Sequence, residues 1–199
     1  YCDEYLITTF FRPPVRKPRT KLVPPILRPE ILGAVRTMGE HLLVYQTAEG
    51  NETLAQTLKK TGIECRIYGM RRELTGDVRE DNLLYRPFSE TGFVEDLASA
   101  RGVIAGGGFT LMGECVYLHK PMLAVPLSGQ FEQVLNARYL AREGYGLAAD
   151  DLTDPQTVFR FTEQIPAYQA ALSGYEQRGN DVLFEELSGV LDRAEAGIL

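Results

Sequence analysis

Three glycines end a buried apolar stretch in VIAGGGFTLMGE, residues 103–114, and a helical pattern follows them. Gly106, Gly107 and Gly108 let a ligand approach the backbone closely. The N–H groups of Gly108, Phe109 and Thr110, at a helix start, then form an anion site that suits a pyrophosphate. The same glycines would also serve a sharp strand-to-helix turn that binds nothing. Glu114 stands on the second turn of that helix. A carboxylate so near a diphosphate is repelled unless it reaches past to hydroxyl groups, and one carboxylate can accept from both vicinal hydroxyls of a ribose. The plainer alternative is an acid favoured near the positive end of the helix dipole. Further on, Pro121 opens PMLAVPL, and the loop Ser128–Gln133 follows. Its Glu132 and Gln133 suit sugar hydroxyls, or the solvated first turn of a helix.

These residues need a scaffold that brings loops to one edge. Short apolar runs, HLLVYQ (41–46), IECRIYG (63–69), NLLYRPF (82–88), GVIAGG (102–107), PMLAVPL (121–127) and YGLAAD (145–150), alternate with helical patterns at 51–60, 90–100, 109–120 and 131–143. In the last of these Leu135, Tyr139 and Leu140 form one stripe. Gly62, Gly102 and Gly144 sit where helices should end. The alternation predicts an α/β fold, a Rossmann-like doubly wound parallel sheet of about six strands, with a C-terminal helical extension. In such a sheet ligands sit beyond the carboxyl ends of the strands, where strand order reverses.

Composition narrows the class. The chain has 199 residues, 21 Lys and Arg against 27 Asp and Glu, and a net charge of -6, which argues against a nucleic-acid partner. Cys2, Cys65 and Cys115 are odd in number and widely spaced, offering neither a disulfide framework nor a metal site, and a reducing compartment is expected. No apolar run approaches bilayer-spanning length. Residues 11–30 hold six of the 11 prolines and six basic residues, Arg12, Arg16, Lys17, Arg19, Lys21 and Arg28. Proline keeps such a stretch extended and out of helices and central strands. It reads as a solvated connector, or as a contact for an anionic membrane surface. The expected organisation is the end of a missing N-terminal domain plus linker at 1–30, a Rossmann-like domain at 31–165 and the extension at 166–199. His41 is expected at the surface, and His119 as a charge complementing a helix C-terminus.

The order GGG-F-T-L-M-G-E, then Pro121, then V-P-L, then E-Q-V-L-N-A resembles the donor-binding box in the C-terminal half of GT-B glycosyltransferases. It is similar to that of the UDP-sugar glycosyltransferases and of the N-acetylglucosaminyltransferase that makes the peptidoglycan lipid precursor. The match is strongest from Arg101 to Gly146. The resemblance implies that Gly107, Gly108, Phe109 and Thr110 hold the donor diphosphate, that Glu114 holds the ribose, and that Glu132 and Gln133 face the sugar. It places Phe88 and Ser89, with Phe93 behind them, at the nucleobase, and Thr47, Gly50 and Asn51 near the phosphates and acceptor. A phosphate-reaching histidine of plant and animal members is Gly106 here, their phosphate-binding serine is Leu111, and their uracil-stacking tryptophan has no counterpart.

The resemblance further implies inverting transfer from a nucleotide-diphosphate sugar, a UDP-sugar first, to an acceptor hydroxyl, lipid-linked or glycan. No cofactor is expected beyond the donor, and no Asp-x-Asp pair is present to hold a metal on it. The general base belongs to an N-terminal GT-B domain, in the same chain or a partner subunit, so this chain alone should bind donor and transfer little. A cytoplasmic location is expected, with possible contact at the inner membrane face. The alternatives are a nucleotide-sugar 2-epimerase of the same fold and a non-catalytic nucleotide-binding module. Against the latter stands the lack of any G-x-G-x-x-G after the first strand.

Overall fold

The computed structural model describes residues 3–46 and 52–197. Seven strands form the main sheet: β3 (Leu42–Tyr45), β4 (Cys65–Tyr68), β5 (Val78–Glu80), β6 (Leu83–Arg86), β7 (Gly102–Ala105), β8 (Met122–Ala124) and β9 (Gly146–Ala148). The order across the sheet is β5-β6-β4-β3-β7-β8-β9, and only β5 runs antiparallel to its neighbour. From β3 the chain builds outward through β4 and β6, then returns to the other side of β3 to lay down β7. Strand order therefore reverses between β3 and β7, and the triple glycine directly follows β7. All six expected strands are present, and β5 is an addition.

Alternation along the strands decides which helix covers which face. Leu43 and Val103 point to one side, against Leu97 of α3 (Glu90–Ser99), Cys115 and Val116 of α4 (Phe109–Tyr117) and Leu140 of α5 (Phe131–Arg142). Leu42, Val44 and Ile104 point to the other, against Leu58 of α2 (Glu52–Thr61) and Phe161 and Ile165 of α6 (Pro155–Leu172). Strands buried on both faces read as continuous apolar runs, as parallel sheets require. Gly102 opens β7 rather than turning the chain: a Cβ there would lie 3.1 Å from the Phe161 ring and 3.2 Å from Ile165. Gly62 and Gly144 do turn with positive φ, 66° and 75°. Helix α6 continues through Pro166, so the chain is helical across the expected junction at 165–166.

The N-terminal segment is more structured than an extended strap. β1 (Tyr5–Thr8) and β2 (Thr20–Val23) pair in parallel as a separate two-stranded sheet, and Pro29 starts the short α1 (Pro29–Leu32). Pro is compatible with this because it sits at the first helical position, where its missing N–H is not needed. Helix α7 (Asp181–Glu195) lies against β2, with Arg193 held by Glu4 at 2.6 Å and Lys21 paired with Glu186.

Both histidines differ from expectation. His41 is buried, and its Nε2 meets the Asp96 carbonyl at 2.9 Å; burial lowers its pKa. His119 has φ 54°, its Nε2 meets the Tyr175 carbonyl at 3.0 Å, and burial followed by the charge of Arg36 lowers its pKa. It is therefore a neutral tie between the end of α4 and the segment after α6, not a dipole charge. Cys65 and Cys115 are buried and unpaired, and burial pushes both thiols up.

Candidate functional site

At the reversal of strand order, α4 begins at Gly108, its N-cap, with no side chain capping it. The first backbone N–H groups of the helix point to the carboxyl edge of the sheet, where the positive end of the dipole favours an anion. Gly108 and Thr110 are exposed there, whereas Phe109 is half-buried and stacks on Phe10, ring centroids 6.1 Å apart.

Gly107 is glycine for a steric reason: a Cβ would sit 2.6 Å from the Gln133 carbonyl oxygen and 2.8 Å from its Cβ. The start of α5 presses directly on this loop. Gln133 Oε1 accepts from Gly107 N–H at 3.2 Å and from Leu127 N–H at 3.0 Å, and Asn136 Nδ2 donates to the Gly107 carbonyl at 3.1 Å. Gln133 thus ties the loops after β7 and β8 together. Glu132, in the same first turn, is exposed.

One turn into α4, Glu114 is 2% exposed and fully paired. Arg28 grips it with both arms of the guanidinium, Nε to Oε1 at 2.7 Å and Nη2 to Oε2 at 3.2 Å, and reaches Glu90 at 2.9 Å. The hydrogen bond to Glu114 is the main cause raising the Arg28 pKa. Two paired oxygens still leave lone pairs for hydroxyl donors.

A cleft of roughly 310 Å³ joins these parts: it is lined by Arg28, Tyr45, Phe88, Phe93, Thr110 and Glu114, with Glu90 and Leu111 at its edge. Phe88 is 80% exposed at its mouth. Ser89 caps α3, its hydroxyl accepting from Gly92 N–H at 3.2 Å. Phe93 forms the floor, edge-on to Tyr45 and Tyr68 at 5.6 and 5.2 Å. Beneath it, the buried Asp96 carboxylate accepts from Tyr68 Oη (2.6 Å), Arg66 (2.6 Å) and Arg86 (2.5 Å), which fixes α3 against β4 and β6. A larger recess of about 540 Å³ beside Phe10, Arg12 and Tyr175 contains none of the expected site residues.

The cleft therefore brings together Thr110, Glu114 and Phe88, with Phe93. Gly107, Gly108 and Phe109 form the loop that leads into it, and Gln133 stands behind that loop. Thr47, Gly50 and Asn51 lie outside the described residues. Sequence reasoning missed three cleft residues: Tyr45, Glu90 and, in direct contact with Glu114, Arg28. The one signal of Arg28 is position, at the end of the strap immediately before Pro29, since its charge does not separate it from five other basic residues. Among the described residues no cluster of His, Cys, Asp or Glu suits a metal, and no helix is long and apolar enough to cross a membrane.

Residues 1–166 match the sequence model of glycosyl transferase family 1. A 52-residue stretch is 44% identical to the UDP-N-acetylglucosamine–N-acetylmuramyl-(pentapeptide) pyrophosphoryl-undecaprenol N-acetylglucosamine transferase 3 of Bacillus cereus, covering 25% of this chain and 15% of that protein. An uncharacterized glycosyltransferase of Methanosarcina acetivorans is 31% identical over 104 residues, 50% of this chain and 26% of its own. Among solved structures, Acinetobacter baumannii MurG superimposes with a TM-score of 0.63 at 19% identity, over 92% of this chain and 60% of its own. The glycosyltransferase of kitacinnamycin gives 0.65 at 19% identity, over 87% and 50%. Those identities show a shared fold, and the chain spans 50 to 60% of the two solved chains.

Proposed function

The chain belongs to glycosyl transferase family 1, and from that premise we propose that it is the nucleotide-sugar-binding C-terminal half of an inverting glycosyltransferase, with a UDP-sugar as donor. The observation that carries this reading is the cleft itself. Thr110 from the uncapped start of α4, a buried carboxylate, an arginine and two phenylalanines share one opening at the point where strand order reverses.

A nucleoside diphosphate fits those parts in order. The base lies against Phe88 and Phe93, the ribose hydroxyls donate to Glu114, and the diphosphate takes the N–H groups of Gly108, Phe109 and Thr110 together with the Thr110 hydroxyl. Among the described residues that line the cleft Arg28 is the cation, and its guanidinium is committed to Glu114 and Glu90. The sugar then points toward Glu132 and the Gln133 tie. In transfer, an acceptor hydroxyl oxygen bonds to the anomeric carbon as the bond to the diphosphate oxygen breaks, and the hydroxyl proton goes to a base on the N-terminal lobe. Negative charge grows on the departing diphosphate, where the start of α4 is already oriented to stabilise it.

The N-terminal lobe is supplied in the same chain or by a partner subunit. The separate β1–β2 pair supports this, because two parallel strands do not make a stable sheet alone. So does α7, whose Phe184, Leu187 and Leu191 are 57%, 42% and 55% exposed. A UDP-N-acetylglucosamine donor and a lipid-linked acceptor are favoured by the name of the Bacillus cereus relative.

Calorimetric titration with UDP, dTDP, GDP and NAD tests the reading. Binding of UDP at micromolar to low-millimolar strength, weakened in Glu114→Gln, is expected. NAD bound in preference to every nucleoside diphosphate would sink it.

A further inference from the structure

Arg28 does not hold its own position. The strap segment that carries it, residues 24–28, is gripped by the loop between α6 and α7. Asn180 Oδ1 accepts from Leu27 N–H at 2.9 Å, and its Nδ2 donates to the Leu27 carbonyl at 2.8 Å, so one side-chain amide pairs with both polar groups of the residue next to Arg28. Gln177 Nε2 donates to the Pro25 carbonyl at 2.9 Å, and its Oε1 accepts from Tyr175 Oη at 2.7 Å. From the other side, Pro25 lies against Gly113 of α4, where a Cβ would come within 2.8 Å of the proline ring.

Asn180 is the N-cap residue of α7, and asparagine is among the best caps, yet its side chain makes no capping bond. Its amide is instead committed to the strap, 153 residues earlier in the sequence. Arg28 in turn sets the Glu114 carboxylate through two bonds. A chain of direct contacts thus runs from the α6–α7 loop through the strap to a buried acid of the cleft.

We propose that Asn180 and Gln177 are positioning residues for donor binding: they fix the backbone of Arg28, and Arg28 fixes the orientation of Glu114 toward the ribose. This rests on the reading that Glu114 holds the ribose. Neither residue lines the cleft. Loosening the strap frees the guanidinium to turn, and the carboxylate then loses the orientation in which it accepts from two adjacent hydroxyls.

The test compares UDP with its 2′,3′-dideoxy counterpart on the full chain and on Asn180→Ala and Gln177→Ala. The wild-type chain should prefer UDP by about tenfold or more, the worth of a hydrogen bond to a charged group. In each variant the preference should fall toward unity because UDP weakens while the dideoxy nucleotide holds its affinity. Loss of fold would weaken both alike, so the ratio separates positioning from stability, and a thermal melt of each variant accompanies it. Should Asn180→Ala fail to fold, Gln177→Ala carries the comparison. A wild-type chain that binds the two nucleotides equally removes Glu114 from the ribose and overturns both readings. A wild-type preference that survives in the variants, or an equal loss for both ligands, overturns the clamp alone.

Discussion

Glu114 and Asp96 are both buried acids held by arginine, and their different surroundings set different outcomes for substitution. Glu114 opens onto the cleft, so its removal should show first in binding: Glu114→Gln is expected to weaken UDP by about 1.5–3 kcal/mol, read by calorimetry. The Arg28 pairing also ties Glu114 to the strap, so a truncation to alanine should lower the melting temperature as well. Asp96 has no opening to a ligand and three donors on it. Asp96→Ala leaves two guanidinium groups and a tyrosine hydroxyl without their acceptor. Because the arginine side chains are 26 to 30% exposed, water recovers part of the loss, and about 2–3 kcal/mol of destabilisation in urea is expected. A stability unchanged in Asp96→Ala would mean that packing alone fixes α3.

At the scale of elements, the loop after β7 separates two glycines with different tasks. Gly107→Ala drives a Cβ into the backbone of α5 and should cost about 1–3 kcal/mol together with donor binding, whereas Gly108→Ala meets nothing within 4 Å and should leave the melt unchanged. Equal melting curves for the two would refute the contact with Gln133. The turn between α4 and β8 supplies a pH test. Lys120 is fully buried and donates to the carbonyls of Ala100 (3.0 Å) and Thr37, and burial, then Arg36, lowers its pKa to about 8. Unfolded lysine titrates near 10.4, so between these values the unfolded chain holds a proton that the folded chain has released. Stability should therefore rise with pH across that window, by up to about 1.4 kcal/mol per unit, and Lys120→Met should lack the rise when urea midpoints are compared from pH 7 to 10. Much of this scale was legible in the residues: apolar runs of strand length, glycines at their ends and the Glu114-to-Pro121 spacing located six strands and the loop at the reversal of strand order. The rest was hidden for physical reasons. β5 is three residues, two half-buried around an exposed Arg79, too short for a period. His41 and Arg28 take their roles from partners 55 and 86 residues away, which local sequence does not encode.

At the scale of the molecule, the acidic balance and the paired strap bear on partners. Of the six basic residues in the strap, Lys21 and Arg28 are joined to acids within hydrogen-bonding distance, Arg19 approaches Asp3 at 3.8 Å, and Lys17 sits over the Tyr5 ring, which lessens what the strap offers an anionic surface. The apolar row on α7 is the stronger candidate for contact with the N-terminal lobe. Phe184→Ser with Leu191→Ser should leave nucleotide affinity and stability within about 0.5 kcal/mol, as for exposed positions, while abolishing association with a separately expressed lobe in sedimentation. Retained association would move the contact elsewhere. Finally, the chain contains no tryptophan, and Phe88 stands 80% exposed at the mouth of the cleft. Phe88→Trp would therefore place a single indole, with no optical background of its own kind, where the proposed donor's base would stack, turning occupancy of the cleft into a fluorescence signal that follows ligand arrival and departure in real time.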